Sequence, residues 1–211
     1  MHPNDGMRSP LIAVLLAALA MLVVRADSAP LATGDRYGHM HMTLEKTWFD
    51  VDVADVDVWF NQTTADRIRQ LATGQRYSND VAERIARTVM DAEDVHVQVQ
   101  LLRNASLGDF LDAAHDNLEH ARDAGYISKD MFATAWRGAQ TDFAPLAKRG
   151  LKKGDQIVYR AVVDALQTKV LHGSTVLLDT TSKDPAARRA MIASYFAPGT
   201  DFRKQLTKSL F

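Results

Sequence analysis

An acidic, alternating segment is the first candidate for chemistry in this chain. Between Phe49 and Phe60 the sequence reads FDVDVADVDVWF, with carboxylates at positions 50, 52, 55 and 57. A calcium loop of the D-x-D-x-D-G-x5-E type needs a central glycine and a distal glutamate, and this segment has neither. Carboxylates on one face of a strand stand roughly 7 Å apart and diverge. The segment is therefore interpreted as a strand with a solvated face, and no metal is expected there.

The apolar positions of this segment change parity at its centre. Val51 and Val53 occupy odd positions, whereas Val56 and Val58 occupy even ones. Because side chains alternate across a strand with a period of two, one extra residue returns the apolar side chains to the core. The sequence predicts a β-bulge at Ala54.

Arg103 is the first candidate for ligand binding. In DVHVQVQLLR, the apolar residues from Val95 to Leu101 alternate with polar ones, and the same parity places Arg103 on the apolar face. A buried guanidinium needs a partner. We expect an ion pair, a position at the sheet edge where the charge reaches water, or an anionic or carbonyl ligand. The first two are the commoner outcomes.

Composition limits the classes of function. The chain has 211 residues, no cysteine, a formal net charge of −1 and 46% hydrophobic residues, as expected for one globular domain. Without cysteine there are no disulfides, thiolate nucleophiles or thiolate metal ligands. The balanced charge argues against nucleic-acid partners. The sequence contains no P-loop, dinucleotide fingerprint or G-x-S-x-G elbow, so no cofactor is expected.

The first 43 residues are predicted to lie outside the fold. The apolar run from Leu11 to Val24 would reach about 21 Å as a helix, short of the roughly 30 Å core of a bilayer. Residues 1–26 are therefore predicted to be a signal peptide that directs export to the periplasm or outside, the alternative being an uncleaved membrane anchor. Residues 27–43 are predicted to be a linker, in which His39 and His41 are interpreted as incidental rather than as a metal site.

From Leu44 to Phe211 the pattern predicts an α+β domain. A strand, two helices, a second strand, a helical hairpin, a three-stranded meander and two helices follow one another. Ser106 and Ser128 are expected to cap the hairpin helices, and His115 and His120 to lie on their solvated side. This order favours an antiparallel sheet with its helices on one side.

The order of these elements resembles the chalcone isomerase-like family, particularly its short exported bacterial members. The strand ending in LLR, the segment GLKKGDQIVYR and the ending SYFAPGTDFRKQLTKSLF carry the resemblance, which covers about residues 44–211. The resemblance implies an open-faced sandwich. A large antiparallel sheet is covered on one face by helices, and a ligand cleft lies between the two layers.

The family's enzymes use an arginine, hydroxyls and an amide to polarise a carbonyl. Their helical tyrosine and asparagine, seven residues apart, correspond by spacing to Phe110 and Asn117, so the tyrosine hydroxyl is missing. The expected strand threonine has no counterpart in DVDVADV, and Arg36 does not match the spacing of the family's arginine. A later hydroxyl would be Thr180 or Thr181. Because losing one such donor costs about 10²- to 10³-fold in rate, these departures argue against the ring-closing reaction.

Three functions therefore stay open. The first is an exported, non-catalytic protein that binds an apolar or amphipathic, fatty-acid-like molecule, with Arg103, Asn117 and Phe110 in its ligand site. The second is an isomerase or lyase that uses other residues. The third is an envelope interaction module with a filled core. An open cleft favours binding, a filled core favours the module, and a strongly shifted pKa at the cleft favours an enzyme. The sequence does not predict an oligomeric state.

Overall fold

The computed structural model describes residues 31–46 and 51–211. The predicted signal peptide lies outside the described residues, as do Phe49 and Asp50 of the acidic segment. Among the helices in these two ranges, none has both the length and the apolar character needed to cross a membrane.

Six antiparallel strands form one sheet, and each strand pairs with its neighbours in chain order. Tyr159 stands opposite Val97 on one side and opposite Thr168 on the other. The strands are β1 (His39–Lys46), β2 (Val51–Phe60), β3 (Asp94–Leu101), β4 (Asp155–Val162), β5 (Ala165–His172) and β6 (Thr175–Ser182).

Three pairs of helices are inserted into or follow this sheet. Each helix begins after a capping residue whose side chain accepts a hydrogen bond from a backbone N–H of the first turn. The predicted caps Ser106 and Ser128 are among these residues. The helices are α1 (Gln62–Ala72), α2 (Asn79–Met90), α3 (Leu107–Asp123), α4 (Lys129–Phe143), α5 (Pro185–Phe196) and α6 (Asp201–Lys208). The predicted α+β open-faced sandwich, a large antiparallel sheet with helices layered on one face, is confirmed.

The core between the sheet and the helices contains many fully buried side chains. Val58 and Phe60 of β2 are fully buried, as are Ile85 of α2 and Ile192 and Phe196 of α5. Fully burying each such side chain contributes about 1.5–3 kcal/mol. In contrast, α4 buries only Phe143, whereas α2 buries six residues. The hairpin of α3 and α4 therefore covers its part of the sheet less closely than α2 and α5 do.

The predicted bulge is present, one residue before Ala54. Leu44 pairs with Ala54 and Glu45 pairs with Asp52, so Val53 is the extra residue. Its carbonyl accepts a hydrogen bond from Leu102 N–H at 3.0 Å. From Ala54 onward the even-numbered residues of β2 are buried, as the parity argument requires.

The linker prediction is wrong from residue 39 onward, because His39 to Thr43 belong to β1. Met40 and Met42 are buried, while the alternate residues face the other side of the sheet. His39 Nε2 and His41 Nδ1 lie 2.7 Å and 2.9 Å from the same oxygen of Asp57. The alternation of histidine and methionine was therefore a strand pattern, since methionine is apolar enough to face the core.

Candidate functional site

A cavity of about 540 Å³ lies between the sheet and helices α3, α4 and α5. The sheet contributes apolar side chains from β2 and β3, including Val56, Val99 and Leu101. The helices contribute Leu118, Phe143 and Met191 among others. The position agrees with the cleft between the layers that the resemblance implied.

The cavity stays open because the helical hairpin faces it with small residues. Ala113 and Ala114 of α3, and Ala135, Gly138 and Ala139 of α4, all belong to its lining. The three α4 positions follow the i, i+3, i+4 spacing that places side chains on one helix face. Even a Cβ atom built on Gly138 meets no atom within 4 Å. Side chains of this size do not bridge the gap between the hairpin and the sheet.

One part of the lining carries hydroxyl groups. Tyr159 of β4 stands directly opposite Thr168 of β5, and the ring of Tyr195 from α5 lies 6.5 Å from that of Tyr159. No hydrogen bond joins any of these three hydroxyls to another described residue. Thr168 is nevertheless only 4% exposed. Because all three residues line the cavity and no described residue engages their hydroxyls, these groups are available to a ligand.

Both tyrosines are held in their neutral form. Burial raises the pKa of Tyr159 well above its ordinary value, and the nearby Tyr195 and Asp142 raise it further. Burial likewise raises the pKa of Tyr195. At neutral pH both phenols are therefore hydrogen-bond donors rather than bases.

The charged residues of the lining are all acidic. Asp109, Asp142 and Asp184 border the cavity, and within the described part of the chain no Lys, Arg or His belongs to its lining. Asp184 caps α5, since its carboxylate accepts a hydrogen bond of 2.8 Å from the backbone N–H of Ala186. The charge of Asp142 contributes to the raised pKa of Tyr159, after burial and the neighbouring Tyr195.

Two of the three residues predicted for the ligand site lie at the cavity. Phe110 and Asn117 both belong to the lining from α3. The ring of Phe110 packs against that of Phe143 with centroids 4.9 Å apart, so it forms part of the wall. Asn117 is half-buried and contributes an amide.

Arg103 does not lie on the apolar face where strand parity placed it, and of the outcomes left open for it a position where the charge reaches water agrees with its exposure. Arg103 is exposed and lies outside the lining of the cavity. The physical reason is that β3 ends at Leu101 and the chain bends, so strand parity no longer governs residue 103. Arg36 also lies outside the lining, where it donates a hydrogen bond to the carbonyl of Leu210 at 2.8 Å. Of the two late threonines, Thr181 is in the lining.

The prediction of a solvated His115 is also wrong, whereas His120 is exposed as expected. The His115 ring is half-buried, with centroids 4.8 Å from Trp136 and 5.3 Å from Phe132. It therefore takes part in packing the two hairpin helices together. Its imidazole also lies within 4.8 Å of carboxylate oxygens of Asp116 and Glu119 on this helix face.

Sequence reasoning missed the hydroxyl groups of Tyr159, Thr168 and Tyr195. A signal was present in the strands, since Thr168 alternates with Leu166 and Val170 on an inward-facing parity. A polar residue at an inward position of a strand needs a partner or a cavity. That reasoning was applied to Arg103 but not to Thr168.

Comparison with known proteins supports the fold. No protein-family model and no curated protein sequence matches the chain. Solved structures do match it, among them a fatty-acid binding protein of Arabidopsis thaliana with a TM-score of 0.53 and 10% sequence identity. The alignment covers 87% of this chain and 89% of that one. At this identity the likeness concerns the fold alone. This chain has the chalcone isomerase-like fold.

Proposed function

We propose that the protein binds an apolar or amphipathic small molecule, with a hydrocarbon part like that of a fatty acid, and catalyses no reaction on it. The observation that carries this proposal is the cavity of about 540 Å³ between the sheet and α3–α5. Small-molecule sites are concave, mainly apolar and about 300–1,000 Å³ in volume. The fatty-acid binding protein with a similar fold adds support.

Burial of hydrocarbon supplies the driving force. Each methylene group moved from water into an apolar site contributes about 0.8 kcal/mol. The lining offers aliphatic and aromatic surface from Val56, Val99, Leu101 and Phe110. An alkyl chain that contacts these side chains would replace water along both surfaces.

The chemistry of the lining favours binding over catalysis. A general acid or base works best with a pKa near the operating pH. Tyr159 and Tyr195 do have strongly shifted pKa values at the cleft, but burial raises both of them away from neutrality, so neither has the pKa of a general acid or base. Phe110 supplies no hydroxyl at the position where the family's enzymes carry a tyrosine. An interaction module with a filled core does not fit the open volume beside α3 and α4.

The test is a titration with straight-chain alcohols of increasing length, followed by calorimetry. Each added methylene should strengthen binding about fourfold until the cavity is full, after which affinity should level off. Ala139→Phe should weaken binding because Ala139 lines the cavity, whereas Ala133→Phe on the exposed face of the same helix should not. Absence of binding at every chain length would contradict the proposal, as would turnover of a chalcone.

We also propose that the protein is exported. The support is the apolar run from Leu11 to Val24 and the residues before Asp27, which lie outside the described part of the chain. The test is the intact mass of the protein recovered from the periplasm of a bacterial host. A mass that begins at Asp27 supports cleavage, a full-length mass in the membrane fraction supports the anchor, and a full-length cytoplasmic protein contradicts export.

A further inference from the structure

The cavity offers hydrogen-bond donors without a positive charge. Tyr159, Thr168 and Tyr195 place three hydroxyls in one part of the lining, and none is engaged by another described residue. Tyr159 and Thr168 are cross-strand neighbours, whose Cβ atoms stand about 4.5–5.5 Å apart. Direct cross-strand pairing puts Tyr159 and Thr168 on the same face of the sheet, and all three side chains line the cavity, so their hydroxyls border the same part of it.

A negative charge borders the same part of the cavity. Asp109 and Asp184 lie in or before the first turns of α3 and α5, where the helix dipole compensates a carboxylate. Asp142 lies instead in the last turn of α4, where the dipole adds negative potential. It has no ion-pair partner among the described residues, and its charge reaches Tyr159.

These two features act on the head group of a ligand in opposite ways. A neutral alcohol, amide or carbonyl gains hydrogen bonds from the hydroxyls, and its desolvation costs less than that of an ion. A carboxylate loses its hydration on entering an apolar site and needs a cation to compensate. Here it would meet the like charge of Asp142 instead.

We propose that the site selects an amphiphile with an uncharged polar head, bound by Tyr159, Thr168 and Tyr195, and that Asp142 disfavours a carboxylate. This inference rests on the proposed function, because it assigns the head group of the ligand whose hydrocarbon part occupies the cavity. It distinguishes the site from one that binds an ionised fatty acid.

The experiment compares four probes with the same alkyl chain: dodecane, dodecanol, dodecanamide and dodecanoate. At neutral pH, dodecanol and dodecanamide should each bind at least about tenfold more tightly than dodecanoate, a difference of about 1.4 kcal/mol. Tyr195→Phe and Thr168→Val should each weaken the binding of dodecanol by about three- to tenfold and leave that of dodecane unchanged.

Charge neutralisation separates Asp142 from the rest of the lining. Asp142→Asn should tighten the binding of dodecanoate by about tenfold and change that of dodecanol less than twofold. The matched control is Asp112→Asn, which removes an exposed carboxylate of α3 outside the lining and should change neither affinity. Asp142→Ser repeats the test with a different neutral side chain, and circular dichroism confirms that each variant is folded.

The outcomes distinguish this inference from the function on which it rests. If dodecanoate binds as tightly as dodecanol, or if Asp142→Asn leaves its affinity unchanged, the head-group assignment is overturned while the cavity remains a binding site. If none of the four probes binds, the proposed function itself fails. A preference for the two neutral heads that depends on Tyr195, Thr168 and Asp142 supports the inference.

Discussion

Gly138 allows the cavity to be tested by a substitution that should stabilise the protein while it weakens binding. The residue lies within the 15-residue helix α4 and belongs to the cavity lining. Glycine inside a helix is less stable than alanine by about 0.5–1 kcal/mol. A Cβ atom at this position meets nothing within 4 Å, so Gly138→Ala should raise the free energy of unfolding by most of that amount. For a domain of this size, the melting temperature should rise by about 2–4 °C.

Gly138→Leu extends the test to the ligand. Leucine has nearly the helix propensity of alanine, so the variant should remain at least as stable as the natural protein. Its three further carbons would take the place of about three methylene groups of a bound chain. At about 0.8 kcal/mol for each group, the affinity for dodecanol should fall by about 50-fold. The expected result is a higher melting temperature together with weaker binding.

The opposite signs of these two effects exclude misfolding as the cause of weaker binding. Gly108→Leu is the matched control, because Gly108 lies in α3 outside the lining and its Cβ position meets only Ser106 Oγ at 3.7 Å. The assays are thermal denaturation followed by circular dichroism and calorimetric titration with dodecanol. Unchanged affinity in Gly138→Leu would refute the reasoning, and so would an equal loss in Gly108→Leu.

Three other predictions concern the scaffold and the corrected site. The fully buried carboxylate of Asp155 accepts hydrogen bonds from Arg149 and His172; burial alone would raise its pKa, but these bonds and the Lys152 N–H outweigh it and lower the pKa. Its contribution to stability is therefore present above about pH 4 and is lost as the pH falls through the lower folded-state pKa. Asp155→Ala should lower the free energy of unfolding by about 2–4 kcal/mol near neutrality and flatten the acid side of a pH-dependent denaturation profile. An unchanged profile would contradict this. Arg103→Ala should leave dodecanol affinity unchanged in calorimetry and stability within about 0.5 kcal/mol, since Arg103 is exposed outside the cavity; a tenfold loss of affinity would return it to the site. Thr168→Val should hold or raise the midpoint of urea denaturation without ligand, because it removes a nearly buried hydroxyl that no described residue engages; a large fall would show that the hydroxyl is already paired.

The elements of the fold could be predicted because their signals are local. The parity change between Val53 and Val56 indicated a bulge to within one residue, and the serines before α3 and α4 marked the beginnings of those helices. The parity argument gave the wrong face for Arg103 because it assumes that the strand continues to that residue, whereas β3 ends two residues earlier.

The cavity could not be predicted because it depends on the distance between the hairpin and the sheet. That distance follows from packing between residues far apart in the sequence, since the hydrophobic core joins residues of the sheet and of every helix pair, and not from any local pattern. The small residues of α4 were visible in the sequence, but alanine on a helix face also occurs where two helices pack closely. From the sequence, the cleft could therefore be predicted only through the family resemblance.

The most direct test of the account is a methyl NMR titration with dodecanol, which reports where the ligand lies. Val56, Val99 and Met191 line the cavity, whereas Ile85 and Val89 are buried on α2 outside its lining. The account predicts saturable shifts for the first three methyl-bearing residues and much smaller shifts for the two on α2. Shifts confined to α2, or spread evenly over the core without saturation, would contradict a ligand site between the sheet and the hairpin.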